Sequence, residues 1–370
     1  MRVMFVAGGT GGHINPAIAV AKEVKRLDPS SEILFVGTEG RMETQIVPKA
    51  GFPIKTVKMN GFSRQMNLKG IIENIKTVVL TLKASSVAKE IIEEFKPDVV
   101  VGFGGYVTGP VLNSAVKMGI KTAIHEQNAF PGVANKALAK KVDKVMLTSA
   151  DAEKHMTCKN PPVVTGLPVR REIIKADRDF SRATLGLKNN DMLVLSMGGS
   201  LGANAINNAV VDMLNILKDE KDICFLHSTG KFGDWVEAKL KEMNIPFGKG
   251  TNIEIRQYID NMDICLSACD LVISRAGASS ISEIQALRKP SILIPSPNVA
   301  ENHQFHNAMA LAKNDGAVLI EEKDLDGGYL AQKILELKND KSKLQLISHN
   351  AGKDAKLNAL SEICRIITSL

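Results

Sequence analysis

Residues 2–16 read RVMFVAGGTGGHINP: a short apolar run, a glycine-rich loop, then asparagine and proline at an apparent helix start. An apolar run of this length, closed by glycine and followed by a helical pattern, marks a buried parallel strand entering a βα unit. Proline suits a first helical position, where its missing N–H would have no partner. The spacing therefore predicts a strand over Arg2–Ala7 and a helix over Pro16–Leu27. The same grammar continues downstream. Further strands are expected at Glu32–Val36, Asp98–Val101, Lys121–His125 and Lys144–Thr148, with helices at Leu68–Phe95, Pro110–Met118 and Val133–Lys140.

A second series opens at Met192. Strands are expected at Met192–Ser196, Ile223–His227, Ile253–Gln257, Leu271–Ser274, Ser291–Ile294 and Ala317–Ile320. Helices at Ala203–Leu217, Ser280–Leu287, Asn302–Lys313 and Asp326–Lys338 separate most of them. Alternation of this kind implies an α/β protein with parallel sheets. The halves look like two copies of one architecture, joined by the proline- and charge-rich segment Pro161–Asp179. The 370-residue length also suggests two domains.

Hydrophobic residues at 44% and charged residues at 24% exclude general disorder. Aromatic residues at 4% leave little for stacking single-stranded bases. No apolar run approaches the roughly 20 residues that span a bilayer, and the N-terminus lacks a signal-peptide pattern, so a cytoplasmic chain is expected. The five cysteines are scattered without zinc-site spacing and read as free thiols. Net charge is +7, and its excess lies wholly in the first half: +8 for residues 1–165 against −1 for residues 166–370. Such asymmetry suits an anionic surface, nucleic acid or acidic phospholipid, or else ordinary solubilising lysine.

Glycine clusters recur where strands meet helices. They are Gly8–His13, Gly102–Pro110 (GFGGYVTGP) and Gly198–Asn204 (GGSLGAN). Glycine lets backbone amides approach a ligand, and a helix N-terminus favours an anion, so phosphate or diphosphate is the expected ligand; tight βα turns are the plain alternative. The dinucleotide and P-loop patterns are absent, as is the G-x-S-x-G elbow. The acidic pairs Asp177/Asp179 and Asp324/Asp326 lie in polar sequence and read as solvated charge. A diphosphate leaving group would then rest on amides, helix dipoles and Arg170 rather than on a metal, and no cofactor is expected.

Other constellations close strands in the same way. His125-Glu126-Gln127-Asn128 ends one strand, where ligands of open α/β sheets bind. In Ser274–Glu283 (SRAGASSISE), Ser280 and Glu283 fit a capping box, while Glu283 equally suits a ribose diol. Arg64, Lys69, Lys76 and Lys83 interleave with Phe62, Leu68, Ile71, Ile72, Ile75, Val78, Val79 and Leu82, which fits a surface-lying membrane helix or a helix packed on two sides.

The ordered set GGTGGHINPA, GFGGYVTGP, HEQNAFPG, GGSLGANAIN, SRAGASSISE and ENHQFHNA resembles the MurG family of UDP-N-acetylglucosamine transferases over essentially the whole chain. The resemblance implies the GT-B glycosyltransferase architecture, two Rossmann-like domains facing across a cleft. It implies an acceptor- and membrane-associating domain over 1–163, joined by a C-terminal helix at about 345–370, and a donor-binding domain over 164–344. The implied reaction is inverting transfer of N-acetylglucosamine from its UDP donor to an undecaprenyl-diphosphate-linked muramyl-peptide, at the cytoplasmic face of the membrane.

Carried over by motif, Thr10, Gly11, Gly12, Asn128, Arg170, Ser200, Ile259, Ala278, Ser279, Ser280, Ile281, Ser282, Glu283 and Gln304 would hold UDP-N-acetylglucosamine. Gly104, Gly105 and Tyr106 would meet the acceptor diphosphate. The expected partners are donor, lipid acceptor and an anionic membrane surface, with no nucleic acid and no metal. An inverting displacement needs a base on the acceptor hydroxyl. His13 is the first candidate, because imidazole accepts a proton near neutral pH; His125 and Glu126 are its rivals. A sibling transferase acting on another lipid, a hydrolysing epimerase and a silent nucleotide-sugar binder are the competing readings.

Overall fold

The computed structural model describes residues 1–59 and 68–370, with side chains for all of these except residues 68–76, 78 and 79. The chain divides into two compact units, residues 1–168 with 358–370, and residues 169–357.

The first unit runs β1 (Arg2–Ala7), α1 (Gly11–Leu27), β2 (Glu32–Thr38), α2 (Glu43–Lys49), β3 (Ile54–Val57), α3 (Leu68–Phe95), β4 (Val99–Gly104), α4 (Thr108–Lys117), β5 (Lys121–Glu126), α5 (Val133–Ala139), β6 (Lys144–Leu147) and β7 (Val163–Val164). Its strands form one parallel sheet in the order β3-β2-β1-β4-β5-β6-β7. Side chains alternate across β1, as the period of a strand requires. Val3, Phe5 and Ala7 pack with Ile14, Val20 and Val24 of α1. Met4 and Val6 pack on the other face with Ala84, Ala88, Val111 and Leu112. A parallel sheet covered on both faces needs such near-continuous apolar strands.

The second unit begins with α6 (Arg171–Lys175) and α7 (Arg178–Thr184). It continues through β8 (Met192–Met197), α8 (Asn204–Leu217), β9 (Ile223–Ser228), α9 (Trp235–Glu242), β10 (Ile253–Arg256), α10 (Met262–Ala268), β11 (Leu271–Ser274), α11 (Ala278–Ala286), β12 (Ser291–Leu293), α12 (His303–Ala312), β13 (Val318–Leu319), α13 (Gly327–Asn339) and α14 (Lys341–Gly352). The sheet order is β10-β9-β8-β11-β12-β13, again all parallel. Apart from the extra edge strand β7, it repeats the order of the first sheet. In each unit the order reverses beside the first strand, and that switch point is where open α/β sheets bind ligands.

The last helix, α15 (Ala359–Thr368), belongs to the first unit and packs on α1. Its Ile363, Ile366 and Ile367 are buried in the core that contains Phe5 and Ile14, each contributing roughly 2 kcal/mol by apolar burial. The Cys364 thiol points at the Val20 carbonyl, 3.8 Å away. All five cysteines are free.

Some boundaries differ from the sequence reading for physical reasons. Helix α1 starts at Gly11, not Pro16, because the N–H groups of His13 and Ile14 both donate to the Thr10 carbonyl, at 3.1 and 3.2 Å. Pro16 is interior, and the helix forgoes one backbone bond there. The segment Pro161–Asp179 is no plain connector, since it contains β7, α6 and the start of α7. Asp177 and Asp326 are helix caps rather than merely solvated charge, accepting from the N–H of Phe180 (2.8 Å) and Tyr329 (2.9 Å). Of the basic, apolar stretch, Phe62 and Arg64 lie outside the described residues, as do the side chains of Leu68, Lys69, Ile71, Ile72, Ile75, Lys76, Val78 and Val79. Among the described part of α3, Leu82 is 68% exposed beside Lys83. No helix among the described residues is long and apolar enough to cross a membrane.

Candidate active site

In the first unit the predicted residues gather at the carboxyl ends of β1, β4 and β5. The β1–α1 and β4–α4 loops press backbone on backbone: Gly8 N–H donates to the Gly104 carbonyl at 3.2 Å. A Cβ on Gly105, whose φ is +89°, would sit 2.5 Å from the Gly8 carbonyl oxygen. Thr10 is the N-cap residue of α1 but makes no side-chain capping bond, so Gly11 and Gly12 form an uncapped first turn. Such a turn favours an anion. Tyr106 is exposed at the tip of the neighbouring loop.

His13 lies on this first turn. Its Nδ1 is 3.0 Å from the Gly8 carbonyl oxygen and 3.3 Å from Thr10 Oγ1. A carbonyl only accepts, so Nδ1 carries the ring proton and Nε2 is the nitrogen left for chemistry. Nε2 has no partner among the described residues, and Gly104 leaves its edge open: a Cβ there would fall 2.9 Å from Nε2.

The two rival bases are placed differently. His125 is fully buried and stacks on Phe103, with ring centroids 5.4 Å apart. Its Nε2 donates to the Gly166 carbonyl at 2.9 Å, and its Nδ1 accepts from Gln127 Nε2 at 3.2 Å. Burial pushes its pKa down to about 4, against the opposing pull of the Gly166 bond. Both nitrogens are occupied and the ring is neutral, which leaves His125 no lone pair to offer a substrate.

Glu126 is also buried, and its oxygens are saturated. Oε1 accepts from Asn128 N (2.9 Å) and Nδ2 (3.2 Å), and Oε2 accepts from Gly132 N (3.1 Å) and Asn135 Nδ2 (2.8 Å). In this geometry Glu126 organises the turn that carries Asn128 into α5 and is not poised as a base. Asn135, which the sequence reading passed over, is buried and shares that task.

In the second unit the predicted residues lie at the carboxyl ends of β8, β10, β11 and β12, except Arg170, which is the N-cap residue of α6. Two loops again cross in backbone contact. Lys231 N–H donates to the Ser200 carbonyl (3.1 Å) and Phe232 N–H to that of Leu201 (3.0 Å). A Cβ on Gly202, at φ +84°, would meet the Thr229 carbonyl oxygen at 2.2 Å. Buried Asn207, missed from sequence, holds that same carbonyl through Nδ2 at 3.0 Å. Ser200 is exposed on this loop, and α8 begins without a side-chain cap. Behind it, buried His227 pairs with Ser196 Oγ at 2.8 Å, and burial holds its pKa down at about 4.

Helix α11 starts at Ala278 with Gly277 as its N-cap. Ser280 is therefore the third helical residue and cannot head a capping box. Its supposed partner Glu283 instead accepts from Arg170 Nε at 3.1 Å. Burial raises the Glu283 pKa, and the Arg170 charge and hydrogen bond oppose that rise. Ala278, Ser279 and Ser280 are at least partly accessible, whereas Ile281 and Ser282 turn inward, Ile281 into the apolar core. Ile259 is likewise a core side chain, so only its backbone can face a ligand. Gln304 Oε1 accepts from Ser296 N at 2.9 Å, fixing its amide toward the end of β12. Asn307 Nδ2 holds the Ala276 carbonyl at 3.2 Å and so steadies the β11–α11 loop. Among the described residues no three His, Cys, Asp or Glu side chains converge as a metal site.

Comparison with other proteins places this arrangement in a lineage. Residues 3–147 match the glycosyltransferase family 28 N-terminal domain, and residues 193–363 match the family 28 C-terminal domain. A relative from Acetivibrio thermocellus is 41% identical over 371 residues, covering 100% of this chain and 98% of its own length. It is named UDP-N-acetylglucosamine–N-acetylmuramyl-(pentapeptide) pyrophosphoryl-undecaprenol N-acetylglucosamine transferase. A relative of the same name from Alkaliphilus oremlandii is 44% identical over 337 residues, 91% of this chain and 90% of its own. The crystal structure of MurG from Acinetobacter baumannii superposes with a TM-score of 0.82 at 28% identity, covering 100% and 99% of the two chains. A UDP-GlcNAc 2-epimerase from Neisseria meningitidis matches at a TM-score of 0.67 and 14% identity, which reflects shared fold alone. The two Rossmann-like sheets are those of a GT-B enzyme, and the chain belongs to the MurG family of glycosyltransferase family 28.

Proposed function

We propose that this chain transfers N-acetylglucosamine from UDP-N-acetylglucosamine to the muramyl sugar of undecaprenyl-diphosphate-linked N-acetylmuramyl-pentapeptide, a membrane step of peptidoglycan synthesis. The observation that carries the reading is full-length similarity at about 40% identity to relatives named for that reaction. An α-linked donor and a β-linked product imply one in-line displacement. His13 Nε2 takes the proton of the acceptor hydroxyl as the bond to the sugar forms. UDP leaves with the electron pair of the broken bond, and preorganised donors stabilise its charge.

Roles follow from the chemistry of each group. In the second unit, the uncapped start of α8, Ser200 and Arg170 suit the departing diphosphate, and Glu283 suits the two ribose hydroxyls. Backbone at Ile259 and the start of α11 would meet the base, and Gln304 the sugar. The first unit, 1–168 with 358–370, would take the acceptor. Thr10, Gly11, Gly12 and Asn128 would complete the donor site, and Gly104, Gly105 and Tyr106 would meet the acceptor diphosphate. The excess charge of residues 1–165 and the exposed Leu82 and Lys83 support peripheral binding to an anionic cytoplasmic leaflet.

One assay tests both parts. Labelled N-acetylglucosamine is supplied as the UDP donor, with EDTA, to muramyl-peptide lipid in anionic or zwitterionic vesicles. Labelled lipid product, formed faster on anionic vesicles, is expected. Absence of product removes the assigned reaction, and equal rates on the two surfaces remove the electrostatic membrane contact.

A further inference from the structure

Glu43 opens α2, in a part of the first unit to which no role has been given. Its side chain has no exposed surface, and among the described residues no cation pairs with it. Both oxygens are used by backbone instead. Oε1 accepts from Thr38 N–H at 2.8 Å and Oε2 from Gly9 N–H at 3.2 Å. Space for it comes from two glycines: a Cβ at Gly8 would lie 2.6 Å from Oε1, and one at Gly37 would lie 2.6 Å from the Glu43 Cγ.

The Gly9 N–H and the Gly8 carbonyl belong to one peptide unit. Glu43 holds its N–H end, and His13 Nδ1 holds its C=O end at 3.0 Å. A carboxylate accepting from the N–H polarises the amide and makes its carbonyl a better acceptor, since hydrogen bonds in series reinforce one another. We infer that Glu43 is a positioning residue for His13, fixing through the Gly8–Gly9 peptide the tautomer that leaves Nε2 open.

The other ionisable groups on the loops that meet here are Tyr106 from the β4–α4 loop and Glu39 and Arg41 from the β2–α2 loop. All three are exposed, so Glu43 is the buried one among them. The same contact explains which amides remain for a ligand: Gly8 N–H is taken by Gly104 and Gly9 N–H by Glu43, leaving the α1 first turn.

The inference rests on the reading of His13 as base only for its effect on rate, and the test separates the two. Long-range proton–nitrogen NMR spectra of the full-length protein, with His13 assigned by its loss in His13→Ala, report which ring nitrogen is protonated. In the wild type the neutral His13 ring should be protonated at Nδ1. In Glu43→Gln the one amide oxygen can accept from only one of the two backbone N–H groups, and its NH2 opposes the other. The charge that polarises the Gly8–Gly9 peptide is also gone, so a mixture of tautomers is expected. There kcat should fall about 10- to 100-fold, as when a histidine loses its supporting partner, while KM for both substrates stays within about threefold. Should Glu43→Gln fail to fold, Glu43→Asp carries the same readout, because the shorter chain draws the carboxylate away from Gly9. A wild-type ring protonated at Nε2, or a tautomer unmoved in the folded variant, overturns the inference. Wild-type kcat in His13→Ala would overturn the base assignment instead and leave the tautomer result standing.

Discussion

The two units build their ligand-facing edges with the same device and then equip them differently. In each, a glycine loop after the first strand crosses a second βα loop backbone to backbone, at Gly8 with Gly105 and at Gly202 with Thr229. In each, the following helix starts without a side-chain cap. Beneath the first unit's loops lie Glu43 and Glu126, both saturated by backbone and amide donors, and His125. Beneath the second unit's loops lie Asn207 and the His227–Ser196 pair, with the Arg170–Glu283 ion pair beside them. On the roles proposed above, the first unit would hold one imidazole in a working tautomer, and the second an anion and a diol. A shared fold supplies the helix termini, and the residues beneath them decide the chemistry.

If the crossings are one device, Gly105→Ala and Gly202→Ala should cost the two units similar amounts. Left-handed backbone costs roughly 1–2 kcal/mol and overpacking adds roughly 1–3 kcal/mol. A total of up to about 5 kcal/mol is expected, because each Cβ meets a backbone oxygen that cannot turn aside. Gly9→Ala and Gly199→Ala, at φ +85° and +89° with nothing within 4 Å, should lose only the conformational part. Urea unfolding of the four variants checks this, and a large cost at one crossing alone would break the comparison.

Acid should act on both units alike. His125 and His227 each have a folded pKa near 4, held down by burial, against 6.5 for the free side chain. The unfolded chain therefore binds protons first as pH falls. The associated stability is complete above about pH 6.5 and is lost progressively down to about pH 4, roughly 3 kcal/mol for each histidine. Trp235 is the chain's one tryptophan and sits in the second unit. Its fluorescence follows that unit while circular dichroism follows both, and the two acid transitions should fall in the same window. A urea midpoint, read by tryptophan fluorescence, that does not fall as pH drops from 6.5 to 4 would exclude His227 from this role.

Much of this was legible in the sequence because strand, glycine loop and helix recur with the same punctuation in both halves. The edge strands β3 and β7 were not legible: Ile54–Val57 breaks its apolar run with Lys55 and Thr56, and Val163–Val164 follows Pro161-Pro162 inside the segment that reads as a linker. Helices α6 and α7 were hidden because charge and proline dominate their segment, and a cap such as Asp177 is recognised only once its Phe180 partner is in place. In the site, His13, His125 and Glu126 share a pattern, since each follows or ends a strand beside glycine or asparagine. Burial and bonding separate them, and neither is written in local spacing. Ser280 and Glu283 match a capping box letter for letter, and only the helix start at Ala278 decides against it. Glu43 had no signal at all, because its partners are backbone N–H groups 34 and 5 residues away.

The division of labour between the units is tested most directly by measuring UDP-N-acetylglucosamine affinity and kcat in the full-length protein for His13→Ala and Glu283→Ala. His13→Ala should bind the donor within about threefold of wild type while kcat falls about 10²–10⁴-fold. Glu283→Ala should weaken donor binding about 10- to 100-fold, the worth of hydrogen bonds to a charged group. Donor binding lost in His13→Ala and kept in Glu283→Ala would contradict the account.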